Sequence, residues 1–171
     1  EVDPGRERAF ALRIRIPEWA APGGSVRLNG RELDSFSSPG SYLELNRVWK
    51  TGDKVELSLH MDLRLERLPD DPGMAAIFYG PVLLTGELGR EGLTEDKIVN
   101  QYAPTGEPVT VPVFKVEDAD PNTWIKPTGG EPLTFRTAGA GDPEDVILIP
   151  FYKLYDKRYA VYWRIEGKQV K

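Results

Sequence analysis

Val55, Leu57, Leu59, Met61, Leu63 and Leu65 alternate with Glu56, Ser58, His60, Asp62, Arg64 and Glu66. A period of two sets one face of an extended chain against a core and the other in water, so this stretch is strand and cannot be an amphipathic helix. It is long for one strand, and a bend or bulge is expected partway, near His60. The same pattern recurs earlier, with Phe10, Leu12, Ile14 and Ile16 separated by Arg13 and Arg15. Val26 and Leu28 lead into Asn29-Gly30, a pair that tolerates positive φ at both turn positions, and residues 31–33 return as the second arm of a tight hairpin. A further short strand is expected at 42–46.

Two prolines and a glycine in Pro69-Asp70-Asp71-Pro72-Gly73 deny both helix and ladder, and a domain boundary is read there. Beyond it, 74–79 and 82–87 are apolar on both parities, as in strands covered on both faces, with Gly80-Pro81 forcing a kink between them. Residues 88–108 are the least regular. A helical turn at 91–98 is conceivable, but Gly92 and the missing 3.6-residue period favour a loop. Strands are expected again at 109–116, 123–126, 133–137, 146–155 and 158–165. The reading is all-β: two antiparallel, jelly-roll-like β-sandwich domains in tandem, 1–68 and 74–171, joined by a linker turn at 69–73. Ile14, Leu57, Leu59, Ile147 and Val161 are expected in the cores.

Charge narrows the partners. The net charge is -5, with both signs interspersed and no basic block, which argues against nucleic acid. There is no cysteine, hence no disulfide, thiol nucleophile or thiolate metal site. No apolar run approaches the ~18 residues of a membrane span, so no membrane partner is expected, and the compartment stays open. The chain starts with Glu rather than Met and enters strand pattern almost at once, which suggests a piece of a longer protein.

Several segments together resemble the C-terminal portion of glycoside hydrolase family 127, the β-L-arabinofuranosidase-like proteins. They are LRIRIPEWA at 12–20, VRLNG at 26–30, the stretch 42–59 containing WKTGDKVELSL, MAAIFYGPVLL at 74–84 and LIPFYKLYDKRYAVYW at 148–163. The resemblance implies an upstream (α/α)6 barrel that carries catalysis, followed by β-sandwich domains. It also implies a zinc site in the parent built from a glutamate and cysteines, one cysteine acting as nucleophile. None of those positions is matched here, so no catalytic, metal or cofactor residue is assigned to this chain. The expected role is a non-catalytic accessory region that packs on the parent's catalytic domain, with homo-oligomer contacts as a further option. The alternative is a carbohydrate-binding module.

Other constellations are weighed against ordinary structural roles. His60, the single histidine, falls on the polar parity with Glu56, Ser58 and Asp62, where a solvated imidazole is expected. The acidic run 117–122 invites calcium, but counted from Asp118 it has Thr123 where an EF-hand needs glycine and Gly129 where it needs glutamate. Glycosidase chemistry uses two carboxyl groups facing each other across the scissile bond. Asp70, Asp71, Glu87, Glu91, Glu95, Asp142, Glu144 and Asp145 are available in loops, where surface acids are expected anyway. Gly139-Ala140-Gly141-Asp142 lacks the strand and helix of a phosphate cradle and reads as a turn. Sugars stack their apolar faces on aromatic rings. Of Trp19, Trp49, Trp124 and Trp163, the last reads as core and Trp49 as a hairpin anchor. Trp124, with Tyr102 in the irregular loop, is the candidate carbohydrate contact, set against a plain packing role.

Overall fold

The structure is a computed structural model and describes residues 1–34, 36–99 and 109–167. Strands take 48% of the chain and helices 7%, with no helix of seven or more residues among the described ones. The protein is all-β, and it divides into two compact units, 1–62 and 63–171.

In unit 1, β1 (Arg8–Arg15) pairs antiparallel with β4 (Tyr42–Trp49), bringing Leu12 opposite Leu45 and Ile14 opposite Leu43. A second sheet has the order β3-β2-β5, from β2 (Ala21–Leu28), β3 (Arg31–Glu32) and β5 (Val55–His60). Both sheets feed one core of Ile16, Val26, Leu43, Leu45 and Trp49. The Asn29-Gly30 turn forms as expected, with φ of 51° and 79°. Its amide locks the next hairpin as well: Asn29 Nδ2 donates to Asp53 at 2.7 Å, and Lys54 N donates to Asn29 Oδ1 at 2.7 Å. Buried Asp53 also accepts from Lys50 N at 3.0 Å, so its carboxylate is satisfied by donors on both sides. The Asn29 and Lys50 donors hold its carboxyl below the usual carboxylate range.

Unit 2 is one ten-stranded sheet that curls around a single core. It contains β6 (Leu63–Arg67), β7 (Met74–Tyr79), β8 (Val82–Glu87), β9 (Val113–Val116), β10 (Ile125–Pro127), β11 (Phe135–Thr137), β12 (Gly141–Asp142), β13 (Ile147–Pro150), β14 (Tyr159–Ala160) and β15 (Tyr162–Gly167). Among the described residues, two short α-helices, α1 (Glu95–Val99) and α2 (Pro121–Trp124), and a 3-10 turn at Phe151–Lys153 interrupt it. β13 and β7 flank β8. The last strand changes partner at Val161: Ala160 pairs with Gly86 of β8, then Tyr162 pairs with Ala76 of β7. Pairing is antiparallel except between β15 and β9, which run parallel.

Several expectations need correction. The long alternation does break after His60, but the two halves belong to different units. Leu65 and Arg67 face Ile77 and Ala75 across the β6–β7 ladder. Residues 69–73 are therefore the turn of that hairpin, and Leu68 N donates to Met74 O across it at 2.9 Å. A proline-rich turn looks like a linker in sequence, because punctuation reports where the chain reverses and not which strand it returns to. Ile147 is 41% exposed, whereas Val146 and Leu148 are buried. The register Leu148↔Gly86 fixes that parity and turns Ile147 to the outer face. Ile14, Leu57 and Leu59 are half-buried against the unit 1 core, and Val161 is half-buried at the partner switch.

Candidate functional site

Unit 2 has a cleft of ≈ 520 Å³ at the ends of its strands, between the segments 87–91, 109–112, 143–147 and residue 157. Topology gathers there Glu87, Glu91, Glu144 and Asp145 from the acids singled out in the sequence. The others lie elsewhere. Asp70 and Asp71 sit in the β6–β7 turn, Asp71 bound to Arg164 at 2.8 Å; Glu95 opens α1; Asp142 is paired with Lys115.

The two cleft acids held on firm backbone are already engaged. Glu87 ends β8 and lies 2.5 Å from Lys157 Nζ, both partly shielded from water. Asp145 accepts from Gly139 N at 2.9 Å, Gly141 N at 3.1 Å, Ala140 N at 3.2 Å and Thr137 Oγ1 at 2.8 Å. Burial alone would push the Asp145 carboxyl up, but these donors outweigh it and hold the group below the usual carboxylate range. The run Gly139-Ala140-Gly141-Asp142 is thus a turn wrapped around an internal anion and does not present its amides to a ligand. Gly141 has no alternative there, since a Cβ would sit 2.0 Å from Glu144 O.

A pH dependence follows from Asp145. Its folded pKa is lowered, so its contribution to stability is complete above the unfolded value of about 3.9 and is lost as the pH falls through the lower folded value. Asp145→Asn is expected to be less stable than the parent at pH 7. The gap should narrow as urea midpoints are followed from pH 5 down to pH 2. A constant gap would mean that the charge of Asp145 plays no part.

Of the two candidate carbohydrate contacts, Trp124 takes the packing role set against it in the sequence reading. Trp124 is 6% exposed and packs its ring on Phe114, centroids 5.5 Å apart. Asp120 caps α2 by accepting from Asn122 N, Pro121 opens the helix, and that turn rolls Trp124 inward. Asp-Pro ahead of the tryptophan is the N-cap and N1 signal that a strand reading of 123–126 overlooked. The acidic run 117–122 is thereby explained as a helix cap. Tyr102 lies outside the described residues. His60 is exposed on unit 1, 3.3 Å from Asp62. Trp163 is fully buried, as read; Trp49, read as a hairpin anchor, is fully buried too, and Trp19 is half-buried. Exposed rings are found instead on 151–162, at Phe151, Tyr152, Tyr155, Tyr159 and Tyr162.

A thiolate zinc site of the kind the family resemblance implies does not fit this chain. There is no cysteine to ligate the metal, and among the described residues no three His, Asp or Glu side chains converge.

Comparison with known proteins accounts for both units. Residues 1–61 match the family described as beta-L-arabinofuranosidase, GH127 middle domain, and residues 64–165 match DUF4986, a domain of unknown function. The second match covers more than half of the 171 residues. The chain belongs to the DUF4986 family. Ahead of it, residues 1–61 carry the match to the GH127 middle domain. No curated protein matches. Among solved structures, one named "Glycoside hydrolase" is 22% identical with a TM-score of 0.58, over 92% of this chain and 28% of that one. The GH127 beta-L-arabinofuranosidase Ara127N-Se from Geobacillus stearothermophilus T6 is 21% identical, TM-score 0.54, over 97% and 28%. The GH127 beta-arabinofuranosidase BT3674 is 24% identical, TM-score 0.54, over 94% and 28%. At these identities the likeness is one of fold, and this chain spans 28% of each relative's length.

Proposed function

We propose that this DUF4986-containing chain is a non-catalytic accessory region of a glycoside hydrolase, which packs against the catalytic domain of its parent and supports it. The observation that carries the reading is the state of the cleft acids. Hydrolysis of a glycoside needs one carboxyl group free to give a proton and another free to attack or to activate water. Glu87 is neutralised by Lys157, and Asp145 is tied up by four donors and held in its anionic form. Glu91 and Glu144 lie exposed on the rim. The 28% share of the GH127 relatives supports the same reading, since it leaves most of such a protein outside this stretch. The lack of cysteine also removes the nucleophile that the family resemblance implies.

Packing against a neighbour has a physical motive. Units of ~60 to 110 residues bury only about 60–65% of their unfolded surface by themselves, so a partner that covers more adds to their stability. The remainder of the parent, produced as a separate chain, is expected to co-purify with residues 1–171 and to raise their melting temperature, as binding to a native state requires. Two chains that stay apart at micromolar concentration, each with an unchanged melting temperature, would contradict the supporting role.

A further inference from the structure

We propose that the outer face of β13, β8 and β14 is a binding platform for a neutral carbohydrate. The register builds it. Tyr159 pairs directly with Glu87, so both side chains stand on one face of the sheet. Leu148 pairs with Gly86, and continuing that ladder by one residue brings Ile147 beside Glu87 on its other flank. Across three strands the row therefore reads Ile147, Glu87, Tyr159, an aliphatic group and an aromatic ring with a carboxylate between them. Lys157 Nζ lies 2.5 Å from that carboxylate.

Each component suits a sugar ring. Tyr159 is 50% exposed, Ile147 41% and Phe151 43%, and the Phe151 and Tyr159 rings lie 5.7 Å apart. Rings of this kind take the C–H face of a saccharide, and their apolar surface stays in water until something covers it. The Glu87–Lys157 pair offers an acceptor and a donor side by side, which is what two neighbouring hydroxyls need. Ile147, Glu87 and Lys157 line the ≈ 520 Å³ cleft, and Lys157 and Tyr159 line an adjoining hollow of ≈ 400 Å³. Both volumes fall in the range of small-molecule sites. The acidic and basic residues that line the two hollows cancel, four against four, so the surface suits neither a polyanion nor a polycation.

The platform is also built rigidly. Thr85, fully buried, donates from Oγ1 to Ala160 O at 2.8 Å and ties β14 to β8. Leu88 N donates to Arg158 O and Arg158 N to Gly89 O, both at 2.9 Å, and Arg90 pairs with Asp156 at 2.9 Å. The chain on either side of Tyr159 is thereby set before any ligand arrives, which lowers the ordering cost of binding.

The test is an amide NMR titration of residues 1–171 with arabino-, xylo- and cello-oligosaccharides, and with trigalacturonate as a charged control. At least one neutral oligosaccharide should bind with a Kd on the order of 1 mM, shifting the amides of Ile147, Glu87, Lys157 and Tyr159. Tyr159→Ala and Lys157→Met should each weaken that binding tenfold or more at unchanged melting temperature. Tyr42→Ala, which removes an exposed ring from unit 1, should leave it unaltered. No shift at those amides with 20-fold that concentration of any neutral sugar, stronger binding of trigalacturonate, or full affinity in Tyr159→Ala would each overturn the proposal. So would protection of Tyr159 by the parent's remainder in place of sugar. None of these results would touch the accessory role, which is read from association and from turnover.

Discussion

Replacing Trp163 by alanine is expected to destabilise unit 2 by about 3–5 kcal/mol. The ring is fully buried and stacks on Phe114, centroids 4.7 Å apart and planes 17° from parallel. It also occupies the space over Gly86, where a Cβ would lie 2.3 Å from Trp163 Cη2. Gly86 cannot move inward to fill the hole, because β8 is hydrogen-bonded on both sides, to β13 and to β14. The indole Nε1 has no hydrogen-bond partner in the core, so the whole loss comes from packing and the cavity left behind. Urea unfolding should show a lowered midpoint with the slope unchanged. A change under 1 kcal/mol would mean that the core closes over the gap and that the stacked pair is not its centre.

Trp49→Ala is expected to cost unit 1 somewhat more, for a partly different reason. Trp49 is fully buried, stacks on Phe10 at 5.7 Å and donates from Nε1 to Phe10 O at 3.0 Å. Arg47 lies over the same ring, 5.2 Å from its centroid, and reaches Asp53 at 3.6 Å. Alanine removes the ring and strands the Phe10 carbonyl, for about 3–5 kcal/mol of lost packing and about 1 kcal/mol more for the bond. Trp49→Phe separates the two contributions, since it keeps most of the ring and loses the donor. Hydrogen exchange at Leu43, Leu45 and Val26 reports the effect directly. If Trp49→Phe proved as damaging as Trp49→Ala, the hydrogen bond rather than the packing would dominate.

The elements most legible in the sequence were those whose signal is local. The alternation at 10–16 and 55–65 became strands, and the φ demand of Asn29-Gly30 became a hairpin. Trp163 is buried as read because its parity matches apolar neighbours. Ile147 read wrongly because Val146, Ile147, Leu148 and Ile149 are apolar on both parities, and only the pairing with β8 decides which face is inside. The strand read at 123–126 starts late because one helical turn, set by Asp120 and Pro121, takes Thr123 and Trp124.

The site was the least legible part. Glu87 and Asp145 appeared in sequence as ordinary loop acids, and nothing local shows that one meets Lys157 and the other a nest of three amides. The candidate sugar contacts of the sequence, Trp124 and Tyr102, lie in chain that reads as irregular. Yet the exposed rings cluster where Pro150 ends β13, the chain turns through Phe151–Lys153, and β14 returns beside β8. A reading of 146–155 as one strand hid that turn, although Pro150 marks it.

The accessory role proposed above means that these 171 residues carry no glycosidase chemistry of their own. The direct measurement is release of the aryl group from aryl β-L-arabinofuranosides and related pentosides by the isolated chain, with and without added zinc, against a heat-denatured control. Release indistinguishable from that control is the predicted result. Reproducible turnover by the folded chain that Glu87→Gln abolishes would contradict it, because the Glu87–Lys157 pair would then be working chemistry and not a neutralised floor of the cleft.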